Sequence, residues 1–129
     1  MPRLRVVAVA ARLPAWAEEA CAEYAKRMPR GYEIERIFVK KEPAALAGCV
    51  ALDERGRDMT TRQFAALLGK ERTFVIGGPD GLSDKLKRNA EELVRISSLT
   101  LPHALAQVVL LEQIYRAATI LTSHPYHRE

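Results

Sequence analysis

Apolar positions along this chain switch repeatedly between a period of two and a helical period, and those switches mark out its elements. Residues 4–10 are a short β-rich apolar run bounded by Arg12 and Pro14. Pro14 opens a helix, where proline's missing N–H costs nothing. Ala17, Ala20, Cys21, Tyr24 and Met28 then recur at helical spacing until Pro29-Arg30-Gly31 ends the element. Residues 32–39 alternate as a strand does, with Ile34, Ile37 and Val39 prominent, and residues 49–53 form another short buried strand followed by a turn at Glu54-Arg55-Gly56. Thr60 or Thr61 caps a helix reaching Leu68, with Phe64, Leu67 and Leu68 inward and Gly69 as its stop. Residues 73–76 make a fourth strand that breaks off at Gly77-Gly78-Pro79-Asp80-Gly81. Ser83 caps a helix running through Ala90 to about Leu93, residues 95–99 read as a fifth strand, and Pro102 starts the longest helix.

The order β-α-β-β-α-β-α-β-α predicts one α/β domain with a mostly parallel sheet flanked by helices. One connection is awkward. Only residues 40–48 separate the second and third strands, whereas a parallel crossover takes about a dozen residues or more. Either the link is unusually tight, or the two strands are not related that way, or part of the natural chain is absent.

Composition narrows the class without naming a function. The 129 residues, 48% hydrophobic and 28% charged, suit a single soluble domain with a core of its own. Cys21 and Cys49 stand in apolar surroundings without a CxxC, so both read as core residues and not as redox or zinc positions. The apolar amino-terminal run is short and leads straight into a charged amphipathic helix, which marks it as a first strand and not a leader. No segment reads as long enough to span a membrane, so a reducing cytoplasm is expected. A net charge of +4 fits a polyanionic partner, although the basic residues are dispersed.

Three segments carry candidate chemistry. Residues 76–83 (IGGPDGLS) follow a buried strand, where open α/β sheets place ligand crevices, and glycines there let backbone approach a ligand closely. The run is neither a P-loop nor GxGxxG, and a ligand-free strand-to-helix turn would use the same residues. Residues 96–103 (ISSLTLPH) form a strand–loop–helix start that can offer backbone groups to the edge of an adenine while leucines cover its faces. The last six residues, HPYHRE, bring together two imidazoles, a phenol and a guanidinium. A frayed solvated end is the plain alternative, and no further ligand cluster supports zinc.

In this order, IGGPDGLS, SSLTLPHALAQVVLLEQIYRA and a closing HPYHRE resemble the ribosomal RNA large subunit methyltransferase H family of the SPOUT superfamily, and VVAVAARLPAWAEEACAEYAKRMP fits that family's opening strand and helix. The chain departs from the family between Val39 and Cys49, where the family carries a longer basic, helix-containing segment. The resemblance implies a single-domain α/β fold with a carboxyl-terminal trefoil knot, working as a homodimer. It implies S-adenosylmethionine as cofactor and methylation of N3 of a pseudouridine in 23S ribosomal RNA within the assembled 70S ribosome; the residues themselves lead one to expect no metal and no membrane. Carried residue by residue, the cofactor positions are Leu52, Gly77, Ile96, Ser97, Ser98, Leu99, Thr100 and Leu101, with the HPYHRE tail on the substrate side.

Within that expectation His127 is the general base, Arg128 stabilises the developing oxyanion or clamps phosphate, and Tyr126 stacks on or hydrogen-bonds the base. His124 and His103 are candidate substrate contacts, though each also suits a structural histidine. The long helix after Pro102 is apolar on more than one face, which a dimer interface or complete burial would explain. Two rivals make different predictions: a non-catalytic RNA- or ribosome-binding relative would incorporate no methyl, and a flavodoxin-like switch would prefer a nucleotide or flavin.

Overall fold

The computed structural model describes residues 4–10, 12–43, 46 and 48–126. In chain order the elements are β1 (Leu4–Val9), α1 (Ala15–Lys26), β2 (Ile34–Val39), β3 (Val50–Asp58), α2 (Thr61–Ala66) with a tight turn at Leu67–Gly69, β4 (Arg72–Ile76), α3 (Asp84–Asn89), β5 (Glu92–Arg95) and α4 (His103–Leu121). The five strands form one sheet in the order β2-β1-β4-β3-β5, and every pairing is parallel. All carboxyl ends therefore lie on one edge.

Side chains alternate across the pleat, so the sheet has two apolar faces. Leu4, Val6 and Ala8 of β1, Val50 and Leu52 of β3, and Phe74 and Ile76 of β4 form one core with Cys21 of α1, Phe64 of α2 and the inner face of α4. Val7, Val9, Ala51 and Val75 point the other way, onto Leu82 and onto Leu86 of α3. Cys21 and Cys49 are buried free thiols, and burial pushes both above the ordinary thiol pKa.

The short link is resolved by topology. β2 and β3 are not neighbours; β1 and β4 lie between them. Three strand spacings are roughly 14 Å, well within the ~33 Å that ten extended residues can reach. Leu46 packs on the Val7–Val75 face, and the Glu42 carboxylate accepts the Ser83 N–H at 2.5 Å, tying the link to the start of α3. Ala44, Ala45 and Ala47 lie outside the described residues.

Local chemistry sets most boundaries. Thr60 and Gln63 form a reciprocal capping box on α2, and the Ser83 hydroxyl accepts the Leu86 N–H to cap α3. Pro14 and Pro102 sit at the caps of α1 and α4, one position before the helix proper. Three expected bounds need correcting. The helix capped by Ser83 ends at Asn89 and does not reach Leu93, which belongs to β5. β3 does not end in a turn at Glu54: it runs on to Asp58, with Leu52 and Arg57 both opposite Val94 of β5. The Asp53 carboxylate holds this irregularity by accepting the Arg55 N–H at 3.0 Å. A Cβ at Gly56 would lie 2.5 Å from the Val94 carbonyl carbon, so only glycine passes this crossing. Likewise, the fifth strand spans Glu92–Arg95 and not residues 95–99. The Glu91 N–H bonds to the Cys49 carbonyl at 2.8 Å and starts the strand early, while Ser97 Oγ accepts the Leu99 N–H and turns the following residues into a loop.

α4 also corrects the expectation that nothing could span a membrane. Its 19 residues are long and apolar enough by length and composition alone. Here the helix packs on α1 and α2, and Leu110, Leu111, Ile114, Ala117 and Ala118 are all at most 1% exposed. Its multi-sided apolarity is largely that of a core helix. Replacing Leu111 with alanine is expected to cost about 2–5 kcal/mol, read as a lower urea midpoint. Leu99→Ala, at a position 75% exposed, is expected to stay within about 0.5 kcal/mol of the parent.

Candidate active site

A cavity of about 590 Å3 opens at the carboxyl edge of β3, β4 and β5. Leu52, Asp53, Glu54 and Arg55 form one wall, and the loop from Ile76 to Leu82 forms a second. Arg95, Ile96, Ser97, Leu99, Thr100 and Leu101 form a third, with His103 and Ala106 at the start of α4 behind them. Lys87 reaches in from α3.

Glycine is required in the second wall because the loop folds back on itself. The Gly81 N–H bonds to the Gly78 carbonyl at 2.9 Å, and Gly81 holds a φ of +72°. A Cβ on Gly77 would lie 2.7 Å from the Gly81 carbonyl carbon, and one on Gly78 would lie 3.0 Å from the Val9 oxygen.

The cavity is mixed in charge. Asp53, Glu54 and Asp80 supply carboxylates, and the Lys87 ammonium lies 3.5 Å from Asp53. Arg95 is engaged by Asp58 through two bonds of 2.8 and 2.5 Å, which hold the Asp58 carboxyl below its usual range. Both ring nitrogens of His103 are shielded from solvent and have no hydrogen-bond partner among the described residues. That is not the arrangement of a satisfied structural histidine.

Seven of the eight residues expected around a cofactor line this one cavity: Leu52, Gly77, Ile96, Ser97, Leu99, Thr100 and Leu101. Ser98 belongs to the same loop but does not line it. His103 joins them. Of the tail, the described residues His124 and Tyr126 lie elsewhere. The His124 N–H bonds to the Thr119 carbonyl at 2.9 Å, and its Nδ1 accepts the Tyr126 N–H at 3.2 Å. The Tyr126 ring packs on Tyr115 with centroids 4.5 Å apart, beneath the Arg116 guanidinium at 4.9 Å. Its hydroxyl donates to Glu112 at 2.8 Å. Burial first, and then the Glu112 carboxylate, push the phenol up to about 12. His127 and Arg128 lie outside the described residues.

Asp53, Glu54, Arg55, Lys87 and Arg95 were not expected here. Asp53 read as a strand end and Glu54 and Arg55 as an ordinary turn, and no spacing rule connects Asp53 with Lys87. Among the described residues no group of three or more His, Cys, Asp or Glu could hold a metal ion.

Residues 2–127 match the family described as "Predicted SPOUT methyltransferase". The chain belongs to that family. S-adenosylmethionine is the methyl donor of this class. Among curated relatives, the ribosomal RNA large subunit methyltransferase H of Methylibium petroleiphilum is 44% identical over 155 residues, covering 98% of this chain and 99% of the relative. The protein of the same name from Polynucleobacter asymbioticus is 47% identical over 146 residues, with the same coverage. These alignments are longer than the 129 residues of this chain, so the relatives carry residues that this SPOUT methyltransferase lacks. Solved structures agree on the fold. A probable methylase family protein from Haemophilus influenzae superposes with a TM-score of 0.64 at 12% identity, covering 99% of this chain and 71% of its own. The SpoU methyltransferase AviRb from Streptomyces viridochromogenes, solved in complex with AdoMet, gives 0.57 at 14% identity over 96% of this chain and 58% of its own.

The residues present fit S-adenosylmethionine. Leucines and Ile96 offer apolar walls, the 96–101 loop offers backbone groups for an adenine edge, and three carboxylates suit a cationic sulfonium and ammonium. Gly77→Ala is expected to weaken cofactor binding at least tenfold by calorimetric titration. Gly69→Ala, where a Cβ meets nothing within 4 Å, should bind as the parent does. Tyr126 makes a separate prediction. Its folded pKa of about 12 exceeds the ordinary phenol value near 10. Its stabilisation is therefore complete below about pH 10 and lost as pH rises through about 12. Ultraviolet titration should show one late-ionising phenol that Tyr126→Phe removes.

Proposed function

We propose that this SPOUT methyltransferase transfers the methyl group of S-adenosylmethionine to N3 of a pseudouridine in 23S ribosomal RNA of the assembled ribosome, acting in the cytoplasm as a homodimer and without a metal. The observation that carries this reading is the convergence of Leu52, Gly77 and the 96–101 loop on one cavity at the carboxyl edge of the sheet, in a chain aligned end to end with named ribosomal RNA methyltransferases.

The bound cofactor supplies a methyl group on a sulfonium, ready for in-line displacement. The protein's part is to align the acceptor and exclude water. Leu52, Ile96 and Leu101 exclude water from the cofactor side, and the folded-back 77–81 loop fixes the opposite wall. The acceptor N3 carries a weakly acidic proton, whose loss places negative charge on the flanking carbonyl oxygens. His127 takes that proton, Arg128 stabilises the resulting charge, and Tyr126 contacts the base ring. His103, with two unengaged ring nitrogens behind the cavity, is a substrate contact. His124 orders the tail through the Tyr126 N–H and is a further contact with the RNA.

The homodimer has support in the exposed apolar side chains Trp16 of α1 and Leu105 and Leu121 of α4, which are 55%, 38% and 42% exposed.

The test is methylation of 70S ribosomes and of free 23S RNA by the purified protein with labelled S-adenosylmethionine, the product nucleoside being identified. N3-methylpseudouridine is expected, with ribosomes the better substrate. Deleting residues 126–129 should abolish transfer while cofactor binding persists. Normal turnover by the deletion would remove the tail from the mechanism. Ribosome binding without methyl incorporation would make the parent a non-catalytic binding protein.

A further inference from the structure

A second cavity, of about 390 Å3, lies against the same half of the sheet, between β1, β2, α1 and the first half of α4. Its walls include Val6, Ala8 and Ile37. Gln107 lines it while only 3% exposed, and its Oε1 has no partner among the described residues. Arg36 also lines it. The two terminal nitrogens of Arg36 are engaged by Glu18 at 2.7 and 2.9 Å, which leaves Nε buried without a partner. At the mouth, the Arg12 guanidinium lies 4.9 Å from the centre of the half-exposed Phe38 ring.

We propose that this cavity binds an unpaired base of the RNA substrate, adjacent to the nucleotide that receives the methyl group. The ligand must satisfy a buried acceptor and a buried donor at once, and a nucleobase edge carrying neighbouring N–H and C=O groups does so. Unpaired bases are recognised in just these terms, by edge hydrogen bonds and by stacking on aromatic or guanidinium planes. Phe38 and Arg12 supply the planes, and Arg12 also suits the adjoining phosphate. Position completes the case. Gln107 stands four residues after His103 on α4, hence on the same face and about 6 Å further along. His103 borders the cofactor cavity. An RNA strand whose acceptor base lies at His103 therefore brings the next base to Gln107. The inference rests on ribosomal RNA being the substrate.

The test uses the full chain and three substitutions: Gln107→Leu, which deletes the amide; Gln107→Glu, which keeps an acceptor; and Phe38→Leu, which deletes the ring at a surface position. Gln107→Leu and Phe38→Leu are each expected to raise KM for 23S RNA about tenfold, with kcat at saturating RNA and the Kd for S-adenosylmethionine within twofold of the parent. Gln107→Glu should recover part of the loss. Substituting the nucleotides flanking the acceptor should change KM for the parent but not for Gln107→Leu. Unchanged RNA affinity in both deletion variants would overturn the proposal. So would a smaller oligomer in sedimentation, which would assign the cavity to a second copy of the chain. Filter binding of the same RNA reads affinity without turnover. A parent that binds RNA but transfers no methyl would refute the enzymatic reading and leave the cavity's own test intact.

Discussion

Strands that all run the same way need covering on both faces, and this requirement organises the molecule. The short strands cannot hairpin, so each connection must return across the sheet. α1, α2 and α4 cover one face, while α3 and the short β2–β3 link cover the other. Parallel direction also gathers every carboxyl-terminal loop at one edge. Both cavities open along that half of the sheet because the loops and helix starts that build them have nowhere else to converge.

Much of this arrangement is legible in residue pattern. The Thr60 and Ser83 caps and the glycine loop after β4 each carry a local signal whose mechanism survives in the fold, whereas Gly69 stands inside the tight turn after α2 without the left-handed φ of a glycine stop. What is not legible is non-local. The extension of β3 to Asp58 depends on a partner strand, β5, that lies some forty residues away in sequence and accepts Arg57 and Asp58 only after an irregularity. β5 begins at Glu92 because Glu91 finds the Cys49 carbonyl, a contact no window of neighbouring residues contains. The link between β2 and β3 looked too short because adjacency was the natural comparison. Its length is sufficient once two other strands stand between.

The candidate site divides in the same way. Its glycines and the 96–101 loop are contiguous motifs, and a family resemblance picks them out. Its charges come from positions that only folding joins, such as Asp53 with Lys87 and Asp58 with Arg95. His103 shows the complementary case: its residue type was noticed, but only three-dimensional placement reveals ring nitrogens without partners. Gln107 drew no notice in sequence because a glutamine on a long helix is ordinary, and its burial is not.

The seat of Tyr126 on α4 has a thermodynamic consequence. Tyr115, Arg116 and Glu112 together hold the phenol away from the cavity that Leu52 and Gly77 line. For any action of this side chain elsewhere, the seated molecules are a reservoir subtracted from the competent population. Apparent affinity for whatever the released tail engages is scaled by the released fraction, and about 1.4 kcal/mol of extra hold at the seat lowers it tenfold. The packing that holds Tyr126 in place thus also sets how readily it is available.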